Sequence, residues 1–163
     1  GRREAFFLIG SFLALWIIAY GAVQAFAPRI LGGKGQAQAE TTRKAILWAG
    51  LLVPIPFLLA GVAWVADGPA PWLTATLIAG LLLFGFVFAV NSSVHSYLIL
   101  VFGSAERITR DVGFYYMANA AGRLIGTLLS GLSYQIGGLP LCLATAGVMA
   151  LGSWLVVRRL SSA

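Results

Sequence analysis

The stretch FYYMANAAGRLIGTLLSG, residues 114–131, is apolar or small at most positions and carries one arginine, Arg123, near its middle. Together with its apolar flanks it is long enough to cross the roughly 30 Å hydrocarbon core of a bilayer as an α-helix. A charged side chain inside such a helix is costly, and no residue of the stretch is acidic. The stretch therefore predicts a transmembrane helix whose arginine needs a partner from elsewhere.

The composition of the whole chain is typical of a membrane protein. Hydrophobic residues make up 60% of the 163 positions and charged residues only 10%, whereas about a quarter of the residues of a soluble domain are charged. The apolar runs are long enough for transmembrane helices and lack the alternation of a transmembrane β-strand. We therefore predict an all-α fold, a polytopic bundle of membrane helices.

Five apolar segments are long enough to span a bilayer, and we treat residues 1–163 as one transmembrane bundle. The third segment is longer than a bilayer requires, so we expect it to tilt, project or bend, with Asn91–Ser93 as the site of a bend. Pro54 and Pro56 are expected to bend the second segment. The segments are approximately residues 5–31, 45–66, 71–103, 111–136 and 139–158.

Basic residues mark the connections on one side of the membrane. Ten of the eleven Lys and Arg residues lie in short connections or at the chain ends, as in the cytoplasmic loops of membrane proteins. The net charge of +6 therefore indicates topology, and we expect no nucleic-acid partner. With residues 28–44, 103–111 and the C-terminal tail in the cytoplasm, five spans place Arg2–Arg3 outside. We interpret this conflict as the sign of a fragment of a longer, multi-pass protein of the inner (plasma) membrane.

A polar stripe on the fourth predicted helix includes the arginine. Tyr115, Asn119, Arg123 and Thr127 recur every four residues and so share one helix face. None of the five acids lies in the interior of a predicted span, so the counter-charge is either an anionic ligand or an acid in another part of the protein. A guanidinium suits phosphate-like or carboxylate groups, because its planar donors can bind two oxygens at once. The alternative is an arginine that bonds backbone carbonyl groups and only joins two helices.

Two other predicted helices carry polar side chains at a similar depth. Asn91 and His95 share a face of the third, and Tyr20 and Gln24 share a face of the first. Three polar faces at one level predict a central aqueous cavity. His95 is a candidate proton relay, because histidine changes its charge near neutral pH. Hydrogen bonding and packing between helices is the alternative role for these residues.

Neither a metal nor a cofactor is expected. The chain has one cysteine, Cys142, and one histidine, and the predicted spans offer no acid to complete a metal site. Ser130 with His95 could suggest an intramembrane serine protease, in which a histidine activates the nucleophile. However, Ser130 also fits a pattern of small residues that lets helices pack closely. We therefore expect no enzyme, and a non-transport membrane subunit is a third class.

Several strings give the chain a resemblance to a known family. NAAGRLIGTLLSGLSYQIGG, together with the Gly-rich basic loop APRILGGKG, is similar to helices 8 to 12 of the major facilitator superfamily. More specifically, WIIAYGAVQAFAPR, NSSVHSYLIL and DVGFYYMANAAGRLIGTLLSG resemble the organoarsenical efflux permeases of the ArsJ family. The resemblance covers essentially the whole chain.

The resemblance implies a transporter of twelve helices in two halves, of which this chain would lack the N-terminal half and one further helix. It implies export of a small anionic organoarsenical, 1-arseno-3-phosphoglycerate, in arsenate resistance, by alternating access and with protons as a possible coupling ion of an antiporter. Arg123 would bind the phosphate or arsenate group. Hydrogen bonds to the substrate would come from Asn119, Tyr115, Asn91, His95, Tyr20 and Gln24. A facilitator that exports another organic anion or a drug is the alternative.

Overall fold

The computed structural model describes residues 2–32, 38–66, 68–102 and 107–159. Within these ranges the chain is helical apart from short turns and contains no β-strand. The prediction of an all-α fold is confirmed. The helices are α1 (Arg2–Ile30), α2 (Gln38–Leu52), α3 (Pro54–Val65), α4 (Pro71–Phe102) and α5 (Ile108–Arg158).

The described helices suit a membrane. Four helical stretches are long and apolar enough to cross one, and α2 and α3 together form the second of them. Many large apolar side chains are exposed, which is favourable where lipid replaces water. The protein is therefore membrane-embedded, whereas the count of five spans stays a prediction. The four stretches are Phe6–Arg29, Gln38–Val65, Pro71–Ile99 and Ile108–Arg158.

α5 is 51 residues long and reverses its direction within its length. Gly137 (φ −139°, ψ 20°) and Gly138 (φ 64°, ψ −157°) leave the helical conformation. Ser130 Oγ lies 3.3 Å from Cys142 Sγ, although the two residues are 12 apart in sequence. A straight helix would separate them by about 18 Å. The chain therefore turns back at the two glycines. We call residues 108–136 the first arm of α5 and residues 139–158 the second arm.

α2 begins earlier than the sequence predicts. The connection expected to continue to residue 44 is already helical from Gln38. Glu40 and Lys44, one turn apart, form an ion pair of 2.7 Å, and Thr42 Oγ1 donates to the Gln38 carbonyl oxygen at 3.0 Å. Thr41 and Thr42 are buried. A polar first turn with a packed face thus extends the helix beyond the apolar run from which its start was predicted.

Pro54 ends one helix and starts another, whereas the polar residues Asn91–Ser93 do not interrupt α4. α2 stops at Leu52, and α3 begins at Pro54, which lacks the N–H group that would continue the hydrogen bonds of α2. α4, in contrast, is not interrupted at Asn91–Ser93, and the bend expected there stays a prediction. Ser93 Oγ and His95 Nδ1 there bond carbonyl oxygens one turn earlier. These polar side chains are thus accommodated by their own helix.

The buried core lies between α2, α3, α4 and the second arm of α5. α1 packs against α4 and against no other described helix. This arrangement leaves space between α1, α4 and the first arm. Two buried clusters join the core helices: Ala45, Val94, Leu98 and Val157 form one, and Leu59, Ala60 and Leu143 form the other.

Candidate functional site

An open cavity of about 590 Å³ lies between α1, α4 and the first arm of α5. Tyr20, Phe88 and Arg123, which line it, lie near the middle of these three elements. We call this space the arginine cavity. The described residues that line it are Trp16, Ile17, Tyr20, Phe84, Gly85, Phe88, Ser92, Asn119, Gly122 and Arg123.

Arg123 reaches the cavity with most of its hydrogen-bond donors unused. Its Nε donates to Asn119 Oδ1 at 3.2 Å, one turn earlier on the same arm. Among the described residues, the side chain of Arg123 bonds to Asn119 alone and not to the backbone carbonyl groups that a purely structural arginine would use. None of the described lining residues is acidic. The terminal nitrogens of the guanidinium are therefore available to a ligand or to water.

Gln24 does not line the cavity but bonds to two residues that do. Its Nε2 donates to the Tyr20 hydroxyl oxygen at 3.2 Å and to the Ser92 hydroxyl oxygen at 3.3 Å. Because both hydroxyl oxygens accept these bonds, each group retains its own hydrogen for a further partner. Gln24 thus joins α1 to α4 and orients two hydroxyl groups that line the arginine cavity.

The polar atoms available in the cavity are mainly donors. Asn119 uses its side-chain oxygen on Arg123 and keeps its amide hydrogens. Tyr20 and Ser92 keep their hydroxyl hydrogens, and the indole of Trp16 can only donate. A ligand rich in acceptors would satisfy these donors, and oxyanions have this property.

The remaining wall of the cavity is aromatic. Phe84 and Phe88, one turn apart on α4, stack with ring centres 5.9 Å apart and planes 10° from parallel. The ring of Trp16 packs on Gly85, where an added Cβ would lie 2.7 Å from Cη2 of the indole. Only a residue without a side chain allows this approach of Trp16 to α4. The arginine cavity therefore has an aromatic wall beside its donors.

A second cavity, of about 350 Å³, lies between α2, α4 and both arms of α5 and shares Phe84 and Phe88 with the first. Asn91 lines this second cavity and not the arginine cavity. The residue is 9% exposed, and its Oδ1 has no hydrogen-bond partner within the described ranges. A buried acceptor without a partner is unfavourable by about 1–3 kcal/mol. Hydrogen bonding to a neighbouring helix was the alternative role for Asn91, and its Oδ1 makes no such bond within the described ranges.

Four of the seven predicted site residues belong to the arginine cavity. Arg123, Asn119 and Tyr20 line it, and Gln24 bonds to two residues of its lining. These four come from α1 and from the first arm, which are far apart in sequence. Whether they bind a substrate stays a prediction.

The other three predicted site residues lie elsewhere. The Tyr115 hydroxyl is 3.3 Å from Ser96 Oγ, one turn beyond the cavity along the first arm. His95 Nδ1 donates to the Asn91 carbonyl oxygen at 2.9 Å and so bonds its own helix. Asn91 faces the second cavity. The predicted convergence is thus partial.

The aromatic wall is the part of the cavity that sequence reasoning missed. Phe84, Gly85 and Phe88 lie in an apolar run, LLLFGFVFAV, in which hydropathy does not indicate the direction of each side chain. The available signal was the glycine between aromatic residues. A glycine inside a helix marks a place where another group can approach the backbone closely.

Catalytic and metal-binding arrangements are not formed by the residues considered for them. Ser130 Oγ lies beside Cys142 Sγ, and His95 Nδ1 bonds a carbonyl oxygen of its own helix. In the part of the chain that the structure describes, no group of three or more His, Cys, Asp or Glu residues could hold a metal ion.

Comparisons with known proteins identify no relative. No family model, curated protein or solved structure matches the chain. Its function is therefore inferred from the geometry of the cavities and the chemistry of the residues that line them.

Proposed function

We propose that the protein is a membrane transporter that exports a small organic anion and binds it in the arginine cavity. The donor-rich lining near the middle of three helices is the observation that carries this proposal. The side-chain oxygens of Asn119, Tyr20 and Ser92 each accept one hydrogen bond within the protein, and their N–H and O–H donors are left for an oxyanion.

The position of Arg123 supports binding that is reversible. Estimates of the free-energy cost of an arginine at the bilayer centre range from about 2.5 to more than 10 kcal/mol, and all of them require water or a partner. Asn119 is neutral and accepts only from Nε. A transported anion would neutralise the guanidinium while bound, and water would solvate it after release.

The mechanism in this proposal is alternating access around a site near the bilayer midplane. The chain would supply five spans of a larger facilitator-type exporter in the inner (plasma) membrane, and the reversal at Gly137–Gly138 supports this count. Protons are the candidate coupling ion. His95 is their candidate carrier, because Nδ1 is used on the Asn91 carbonyl oxygen and Nε2 has no partner among the described residues.

A more specific proposal concerns the identity of the transported substrate. The resemblance to the ArsJ permeases favours an organoarsenical, 1-arseno-3-phosphoglycerate, and Arg123 would bind one of its oxyanionic groups. The alternative is another organic anion, which the aromatic wall favours. Trp16, Phe84 and Phe88 offer stacking surface that a small sugar acid does not use.

Transport by the full-length protein in everted membrane vesicles tests the proposal, with the organoarsenical and 2-naphthoate as labelled probes. Arg123→Ala should lower uptake of the transported anion about 10- to 150-fold, because hydrogen bonds to a charged group contribute roughly 1.5–3 kcal/mol. Arg123→Lys should restore only part of it, since an ammonium cannot bind two oxygens as a guanidinium does. Arg110→Ala removes an exposed arginine outside the cavity and should retain wild-type uptake. Equal uptake by the wild type and Arg123→Ala would overturn the proposal.

A further inference from the structure

We infer that the preferred substrate carries one anionic group on a flat apolar ring system, as an aromatic carboxylate does. This inference deepens the proposed function and rests on it. It favours such a monoanion over a compact molecule with several negative charges. The organoarsenical 1-arseno-3-phosphoglycerate is a molecule of that second kind.

The charge of the cavity supports one anionic group. Arg123 is the only cation among the described residues that line the arginine cavity. Asn119, Tyr20 and Ser92 add neutral donors around it. A second anionic group would find no counter-charge among these residues. The described lining therefore matches a monoanion.

Two of the neutral donors, Asn119 and Ser92, lie on the same side of Arg123. The Tyr115 hydroxyl lies 3.3 Å from Ser96 Oγ, and one turn along each helix Asn119 and Ser92 both line the cavity. Arg123 follows after one further turn of the first arm. Asn119 and Ser92 thus form a polar end beside Arg123, and a carboxylate or a similar head group bound to Arg123 would lie next to them.

The aromatic wall extends to the opposite end. Along α4, Gly85 lies two turns before Ser92, and the ring of Trp16 packs on it. Phe84 lies beside Gly85, and Phe88 stacks on Phe84. Aromatic rings attract a further ring when their centres are about 4.5–7 Å apart. The volume of about 590 Å³ also suits a ligand of this kind, because pockets for drug-sized molecules occupy about 300–1,000 Å³.

Uptake of two labelled probes into everted vesicles that contain the full-length protein tests this inference. We expect kcat/KM for 2-naphthoate to exceed that for 3-phosphoglycerate by about tenfold or more, because only the first matches both the single charge and the aromatic wall. Phe84→Leu keeps an apolar side chain and removes the ring, and should lower naphthoate uptake about threefold or more. Phe114→Leu, at an exposed position of the first arm, is the matched control and should retain wild-type uptake.

The outcomes separate the inference from the proposed function. Preference for 3-phosphoglycerate, with uptake that is lost in Arg123→Ala, would overturn the inference and leave the transporter in place. Naphthoate uptake that is unchanged by both Phe84→Leu and Trp16→Leu would also overturn it, because the aromatic wall would then not be the binding surface. If the protein accelerates uptake of none of the three probes (the organoarsenical, 2-naphthoate and 3-phosphoglycerate), the proposed function fails as well.

Discussion

Gln24 influences the chemistry of the arginine cavity without lining it. Its Nε2 donates to two hydroxyl oxygens, so the hydroxyl hydrogens of Tyr20 and Ser92 remain free. The same two hydroxyls would become poor donors to a ligand if the residue behind them were an acceptor. The direction of these hydrogen bonds, rather than the number of polar residues, makes this part of the cavity suitable for an anion.

Two substitutions of Gln24 separate hydrogen-bond direction from packing. Gln24→Glu introduces a group that only accepts, so the hydroxyls of Tyr20 and Ser92 should donate to it and no longer to the ligand. We expect KM for the transported anion to be about tenfold higher in Gln24→Glu than in Gln24→Leu, because the glutamate also adds a negative charge beside two hydroxyl groups of the lining.

The control for this comparison is Gln135→Glu, which changes an exposed glutamine near the end of the first arm. It should leave KM at the wild-type value. An equal effect of Gln24→Glu and Gln24→Leu would show that Gln24 acts through packing and not through the direction of its bonds.

At the scale of the helices, the reversal within α5 determines which surfaces meet. Gly138 adopts φ 64° and ψ −157°, a combination that is essentially restricted to glycine. An added Cβ at this position would meet only Pro140 Cδ, at an ordinary distance of 3.8 Å. The requirement for glycine therefore comes from the backbone conformation and not from crowding. Without this turn the second arm could not pack beside the first.

Gly138→Ala should accordingly destabilise the protein. We expect a loss of about 1–3 kcal/mol in the free energy of unfolding, measured in detergent by denaturant titration. Gly131→Ala is the matched control, because an added Cβ there meets nothing within 4 Å and the residue lies in regular helix. It should be neutral or stabilising by up to about 1 kcal/mol. A Gly138→Ala protein as stable as Gly131→Ala would contradict this account of the turn.

At the scale of the whole molecule, the reversal also predicts how often the chain crosses the membrane. If the turn at Gly137–Gly138 reaches the outer surface, the start of α5 and the end of its first arm lie on opposite sides. Labelling of single cysteines measures this directly. The native Cys142 must first be removed, and Cys142→Ser keeps a polar atom beside Ser130.

In that background, we expect Gln135→Cys to react with a membrane-impermeant thiol reagent in intact cells. Arg107→Cys should react only after the cells are opened. Both positions are exposed in the structure. Reaction of both from the same side would make the five-span count wrong and would remove the topological support for a facilitator-type exporter.

The all-helical, membrane-embedded character of the protein followed from the sequence alone, because hydropathy and the length of apolar runs are properties of neighbouring residues. The polar stripe of Tyr115, Asn119 and Arg123 was predictable for the same reason, since helical periodicity places residues four apart on one face. The start of α2 was not predictable from the sequence, because burial of Thr41 and Thr42 depends on helices elsewhere in the chain.

Only the tertiary structure decided which of the polar faces share a cavity. Asn91 and Ser92 are adjacent in sequence, yet Asn91 lines the second cavity and Ser92 the arginine cavity. The reason is that the direction of each face depends on how whole helices pack, as where Trp16 packs on Gly85 between two distant segments. An apolar helix in lipid has no water-facing side to indicate that direction from its own sequence.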